Sequence, residues 1–274
     1  MEKQAELKEK IILEIMPECS DTEVARRLLS IFEAQNENLE QDKESLEKGA
    51  EGSEEKLILR LDSDGLSLVS AGQILKGDFT KMISRLKNGK LQGELLVKTA
   101  KIKDEKGPLT AVDATAGLGE DSLLLAAAGF QVTLYEQNPV IYELLCDAIQ
   151  RASKNPELAE ITARMNVRNG DSIEAMKHLE AAPDVILLDP MFPERQKSAL
   201  VKKKLQMIQK LEEPCNDERN LLLTAMMAKP KKLIVKRPPK GPYLAEIKPD
   251  YSISGKAVRF DCFVSPFDKI HKFV

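Results

Sequence analysis

The sequence holds no apolar run approaching the roughly 18 residues a membrane-crossing helix needs, so no transmembrane segment is expected. Cysteine is scarce. Cys19, Cys146, Cys215 and Cys262 are far apart, with no C-x-x-C pair and no histidine nearby. That argues against a zinc site or a disulfide framework and for free thiols in a reducing compartment. Histidine is scarcer still. With His178 and His271 alone, chemistry that needs a histidine base or several histidine ligands is disfavoured, and no metal is expected. The first ten residues, MEKQAELKEK, are charged and have no apolar signal core behind them, so a cytoplasmic location is expected.

What is present is a soluble globular composition, 42% apolar and 31% charged over 274 residues. The net charge of −3 is unevenly spread. Residues 1–56 carry 16 acids and 8 bases, a net of −8, so the remainder carries +5. The basic balance of the larger part fits a nucleic-acid partner.

Residues 1–50 read as helical: Leu7, Ile11, Ile12 and Ile15 fall at helical spacing up to Pro17, and Ser20 or Asp21 can cap a second helix carrying Val24, Leu28, Leu29, Ile31 and Phe32. A polar linker follows, so residues 1–55 are expected to be an acidic helical extension. LILRLDSDGLSLVS (57–70) reads as a hairpin turning at Asp64-Gly65, and 79–100 as helix broken near Asn88-Gly89. Together these predict a small α+β subdomain over 56–105. From 106 to 274 strands and helices alternate: strands at 109–114, 131–136, 164–169, 184–189 and 231–237, helices at 120–128, 139–153, 172–180, 196–211 and 217–228, and a closing pair of strands near 250–254 and 257–264. The expected fold is α/β, with a mostly parallel seven-stranded sheet, helices on both faces and an antiparallel edge hairpin.

Four motifs fall at strand ends. In open α/β sheets, that is where ligands bind. DATAGLGED (113–121) joins a strand to a helix. Gly117 and Gly119 let backbone approach a ligand closely. The third glycine of a dinucleotide fingerprint is absent, because Ser122 stands there, which makes a nicotinamide oxidoreductase remote. Asp113, Glu120 and Asp121 would repel a pyrophosphate but suit a cationic ligand such as S-adenosylmethionine. Glu136 closes the next strand and can accept both ribose hydroxyls of a nucleoside, or else cap the helix at Pro139; Gln137 can pack along the adenosine. Asp171 and Ser172 follow the third strand, where either can meet the adenine amino group or serve as a helix N-cap.

The fourth motif, Asp189-Pro190-Met191-Phe192-Pro193, closes an apolar strand. An exocyclic base amine is a poor nucleophile, since its lone pair is delocalised into the ring. The Asp189 carboxylate and the Pro190 carbonyl can accept its two N–H bonds, and Phe192 offers a face on which the base can stack. A proline-rich turn with a core phenylalanine is the plainer alternative. Lys197, Lys202, Lys203, Lys236 and Arg237 are candidates for phosphate contact, although a lysine run is usually a solvated face.

VDATAGLGEDSLLLAAAG, LYEQNP, LLDPMFPERQKSALVKK, VKRP and GKAVRFD resemble the bacterial 16S ribosomal RNA guanine-N2 methyltransferase family RsmJ, through roughly residues 84–264. The resemblance implies a Rossmann-like class I methyltransferase fold and transfer of a methyl group from S-adenosylmethionine to a 16S guanosine, with the small ribosomal subunit or its RNA as partner. It places cofactor contacts on Glu120, Asp121, Glu136, Gln137, Asp171, Ser172 and Asp189. Methylation of another planar amine, on DNA adenine or protein glutamine, and a non-catalytic RNA-binding assembly factor stay open on the residues alone.

Overall fold

The computed structural model describes residues 11–33, 57–87, 89–103, 107–190, 207, 211 and 217–272. They group into two compact units, the first holding the described residues up to Gly77 together with Met207 and Leu211, and the second the rest from Asp78 onward.

The first unit is a four-stranded sheet in the order β1-β2-β3-β4, formed by β1 (Ile11–Ile15), β2 (Leu57–Asp62), β3 (Gly65–Ser70) and β4 (Gln73–Leu75), with helix α1 (Glu23–Glu33). The β2–β3 hairpin turns where expected, and Gly65 carries the positive φ of 112° that the turn requires. The helix expected around Ile11 is instead β1, paired in parallel with β2 from Ile11↔Leu57 to Ile15↔Leu61. A short apolar run of Ile-Ile-Leu-Glu-Ile satisfies either period, and pairing decides it. Ile11 is buried, Ile12 points outward, and Glu14 meets its register partner Arg60 at 2.6 Å. Residues expected to form a separate helical extension therefore share a sheet with the expected subdomain. The second helix is capped by Thr22, not Ser20 or Asp21: its hydroxyl accepts the Ala25 N–H at 3.1 Å.

The second unit begins with 3-10 turns and the short helices α2 (Ile83–Leu86) and α3 (Leu95–Ala100), which are expected from the sequence in the small subdomain. The chain then runs β5 (Thr110–Asp113), α4 (Glu120–Ala127), β6 (Gln131–Glu136), α5 (Pro139–Ser153), α6 (Ala159–Thr162), β7 (Met165–Asn169), α7 (Ser172–Lys177), β8 (Val185–Leu188), α8 (Glu218–Met227), β9 (Lys232–Arg237), β10 (Tyr251–Ser254) and β11 (Arg259–Val264). The sheet order is β10-β11-β9-β8-β5-β6-β7. The five strands from β9 to β7 are parallel, and β11 and β10 form the antiparallel edge. The expected helix at 196–211 lies outside the described residues, apart from Met207 and Leu211.

Local chemistry sets the element ends. Asn138 caps α5 by accepting the N–H groups of Val140 and Ile141, with Pro139 in the first turn, where its missing N–H costs nothing. Helix α4 starts at Gly119 and gives out before Gly129, both at positive φ. Strand β8 reads Val-Ile-Leu-Leu without alternation because both its faces are covered. Val185 and Leu187 join one core with Leu123 and Leu125 of α4 and Leu145 of α5. Ile186 and Leu188 join the other with Leu222 and Met226 of α8.

Candidate active site

The parallel register places the carboxyl ends of β5, β6, β7 and β8 along one edge. Asp113 lies opposite both Leu134 and Leu187, so β6 runs two residues further, to Glu136, which pairs with Asn169. This overhang lets β6 hold the turn after β5. The Ala116 N–H donates to the Tyr135 carbonyl at 3.1 Å, and the Gly117 N–H donates to Glu136 Oε2 at 3.0 Å. Glu136 Oε1 accepts the Asn138 N–H at 2.8 Å. Of the two readings of Glu136 the structure shows the capping one, since it steadies the entry to α5, and it adds a third role, holding the glycine turn. On the far side of β6, the Asn169 amide donates to the Glu136 carbonyl at 2.9 Å.

The two glycines have different work. Gly117, at φ 52°, faces open space, and a β-carbon there would meet nothing within 4 Å. Gly119, at φ 77°, is pressed into the core, where a β-carbon would stand 2.6 Å from Leu145 Cδ1. One glycine leaves room for a ligand and the other lets helix α4 pack.

Asp113 is buried and accepts the Ser122 hydroxyl at 2.6 Å and the Thr115 N–H at 3.2 Å. Burial pushes its carboxyl up to about 7, opposed by the Ser122 hydrogen bond and assisted by nearby Asp121. Asp113 therefore braces the turn from within. Ser122, read from the sequence only as a missing glycine, is the residue that holds it. Thr115 is a second residue the motifs did not single out: its hydroxyl accepts the Asp189 N–H at 2.6 Å, tying the ends of β5 and β8 together. No spacing rule marks either residue.

Asp189 keeps 39% of its side-chain surface exposed while Oδ2 lies 2.9 Å from Lys236 Nζ. Desolvation pushes its carboxyl above the usual range, Lys236 pulls it down and Asp121 pushes it up. Lys236 Nζ also lies 2.6 Å from Asp121 Oδ2. Glu120 and Gln137 are exposed at the same edge. Asp171 is the N-cap of α7, accepting the Ile173 N–H at 2.8 Å, and Ser172 beside it is half-buried.

Two expected phosphate contacts need correction. Arg237 is buried: its Nε donates to the Pro242 carbonyl at 2.8 Å and its Nη1 lies 3.8 Å from Glu218, so it fastens the segment after β9 and does not present a charge to solvent. Lys236 is engaged by the two carboxylates just described. Phe192, Lys197, Lys202 and Lys203 lie outside the described residues; Pro190 is within them and buried.

The edge thus gathers Glu120, Asp121, Glu136 and Asp189 around a glycine turn with open space above Gly117, with Asp113 buried behind that turn. Such a set repels anions and accepts hydroxyl and ammonium donors, which is the donor set of S-adenosylmethionine.

Comparison with known proteins agrees. A family model described as "Putative SAM-dependent methyltransferase" matches residues 41–265. Proteins named ribosomal RNA small subunit methyltransferase J are similar over about three quarters of this chain. That of Marinobacter nauticus is 39% identical over 76% of this chain and 77% of its own length, and that of Neisseria gonorrhoeae is 40% identical over 76% and 83%. A crystal structure of a SAM-dependent methyltransferase from Neisseria gonorrhoeae superposes with a TM-score of 0.67 and 32% identity, covering 93% of this chain and 96% of that one. The RsmJ resemblance and the Rossmann-like class I fold therefore hold. The chain belongs to the ribosomal RNA small subunit methyltransferase J family of S-adenosylmethionine-dependent enzymes.

Proposed function

We propose that this chain transfers a methyl group from S-adenosyl-L-methionine to the exocyclic N2 of one guanosine in 16S ribosomal RNA, acting in the cytoplasm on the small ribosomal subunit or its RNA. The observation that carries the reading is Asp189, whose carboxylate is partly exposed at the end of β8 and whose N–H is tied through Thr115 to the acid-lined glycine turn.

The cofactor supplies an electrophilic methyl group on a sulfonium. The protein's part is placement. Gly117 and Gly119 shape the turn, Glu136 accepts ribose hydroxyls, and Asp121 and Glu120 favour the cationic end. Gln137, Asp171 and Ser172 lie along the nucleoside. Asp189 and the Pro190 carbonyl accept the two N–H bonds of the guanine amine, which aims its lone pair outward. Asp189 then takes the proton that the nitrogen sheds, a task suited to a carboxyl held above its ordinary range. Phe192 offers the stacking face, and Lys197, Lys202 and Lys203 meet phosphate. An amine inside a duplex cannot reach such a site, so the target base is unstacked or flipped out.

Mass mapping of small-subunit RNA from cells with and without this protein tests the reading. Loss of a single methylguanosine is expected. Identical maps, or transfer by the purified protein to DNA or protein substrates but not to RNA, would overturn it.

A further inference from the structure

We propose that Lys236 is a positioning residue for methyl transfer, its ammonium clamped between Asp121 and Asp189 so that the Asp189 carboxylate stays charged and correctly turned toward the amine. This rests on reading Asp189 as the group that receives the amine.

The geometry is specific. An ammonium has three donors. Lys236 directs two of them, at 2.6 and 2.9 Å, to carboxylates from different elements, the first turn of α4 and the end of β8. Only 29% of the Lys236 side chain is exposed, which is not the pose of a lysine reaching out for phosphate. Asp189 is thereby held at two points, its N–H on Thr115 and its Oδ2 on Lys236, with part of the carboxylate left open to a substrate.

Among the described residues, the charged groups that act on Asp189 are Lys236, in direct contact from β9, the more distant Arg237 beside it, and Asp121 from α4, with the buried Asp113 of β5 nearby. Desolvation and the neighbouring Asp121 favour a neutral Asp189. A protonated carboxyl accepts hydrogen bonds poorly and cannot take the amine's proton. Burial by itself would lower the Lys236 ammonium, yet Asp121 and Asp189 outweigh it and hold Lys236 above its ordinary value. Lys236 therefore stays charged wherever the enzyme is assayed and opposes protonation of Asp189.

The test is the pH dependence of kcat/KM on small-subunit RNA at saturating cofactor for wild type, Lys236→Met, Lys236→Arg and Asp121→Asn. A carboxyl deprived of an adjacent cation rises by about one pH unit or more. The acid limb of Lys236→Met should move up by that amount, with activity recovered at higher pH. Lys236→Arg should keep the limb in place. Asp121→Asn removes a group that pushes Asp189 up, so its limb should move down. The Asp189 carboxyl signal in 13C NMR, assigned with Asp189→Asn in the protein alone, should shift its titration in the same directions.

An unmoved limb and an unmoved titration in Lys236→Met would overturn the proposal, as would a loss confined to RNA KM with steeper salt dependence, the mark of a phosphate contact. If Lys236→Met does not fold, Asp121→Asn decides: a lowered limb supports the clamp and an unmoved one refutes it. A wild-type protein that methylates no RNA would instead sink the functional reading, while the NMR titration still reports on the clamp.

Discussion

The carboxylate of Glu136 accepts the Gly117 N–H at 3.0 Å, so an acid at the end of one strand closes around the turn that follows its neighbour. The contact aligns the turn and sets the acid beside the space where a ribose is expected. Glu136→Ala removes both. A hydrogen bond to a charged group is worth about 1.5–3 kcal/mol, so cofactor Kd should rise roughly 10- to 100-fold while RNA affinity holds. Calorimetric titration with S-adenosylmethionine checks this, and an unchanged Kd would refute the role.

Asp189→Ala leaves Lys236 paired with Asp121 and leaves the backbone tie to Thr115 in place. The fold and cofactor binding should persist. Single-turnover methyl transfer should fall on the order of 100-fold or more, the size expected when a group placed for the transition state is lost. Near-normal turnover would remove Asp189 from the chemistry.

Gly117 and Gly119 should separate in urea titrations. Alanine at either must adopt positive φ, at about 1–2 kcal/mol. At 119 the new methyl also strikes Leu145, which is fully buried and has little room to yield. Gly119→Ala should cost about 2–4 kcal/mol in all, and Gly117→Ala only the smaller backbone share. Equal losses would contradict the packing described.

Asp113 gives a stability signal with a definite sign. Its folded value of about 7 lies above the ordinary 3.8 to which the unfolded chain returns. Between those values the native state keeps a proton the unfolded state has lost. This group's stabilisation is full below the lower value and disappears as pH rises through the upper. Asp113→Asn lacks that dependence, so its melting temperature relative to wild type should climb from about pH 5 to about pH 8. A flat difference would show that Asp113 is not held this way.

Much of the fold was legible. Strand β6 and helix α5 fall on the expected residues because alternation in QVTLYE and the cap-and-proline pair Asn138-Pro139 fix them locally. That the motifs would share an edge followed from parallel strands alone. Strand β1 was not legible, since its partner β2 begins more than 40 residues after it and a five-residue apolar run carries no period of its own. Lys236-Arg237 looked like two bases facing solvent, yet neighbours on a strand point to opposite faces. One meets Asp121 and Asp189, and the other turns toward Pro242 and Glu218. The capping role of Asp171 is met, since it accepts the Ile173 N–H at the start of α7. Thr115 and Ser122 act through single hydroxyls, which composition and spacing do not reveal.

The pairing of Ile11–Ile15 with Leu57–Leu61 has a practical consequence for anyone shortening this protein. A version trimmed to start at Leu57 would discard the flank of the small sheet and leave a row of bare amide and carbonyl groups along β2. Such a row is a template for other chains, so the trimmed protein should clump or pair with itself even with its methyl-transfer apparatus intact.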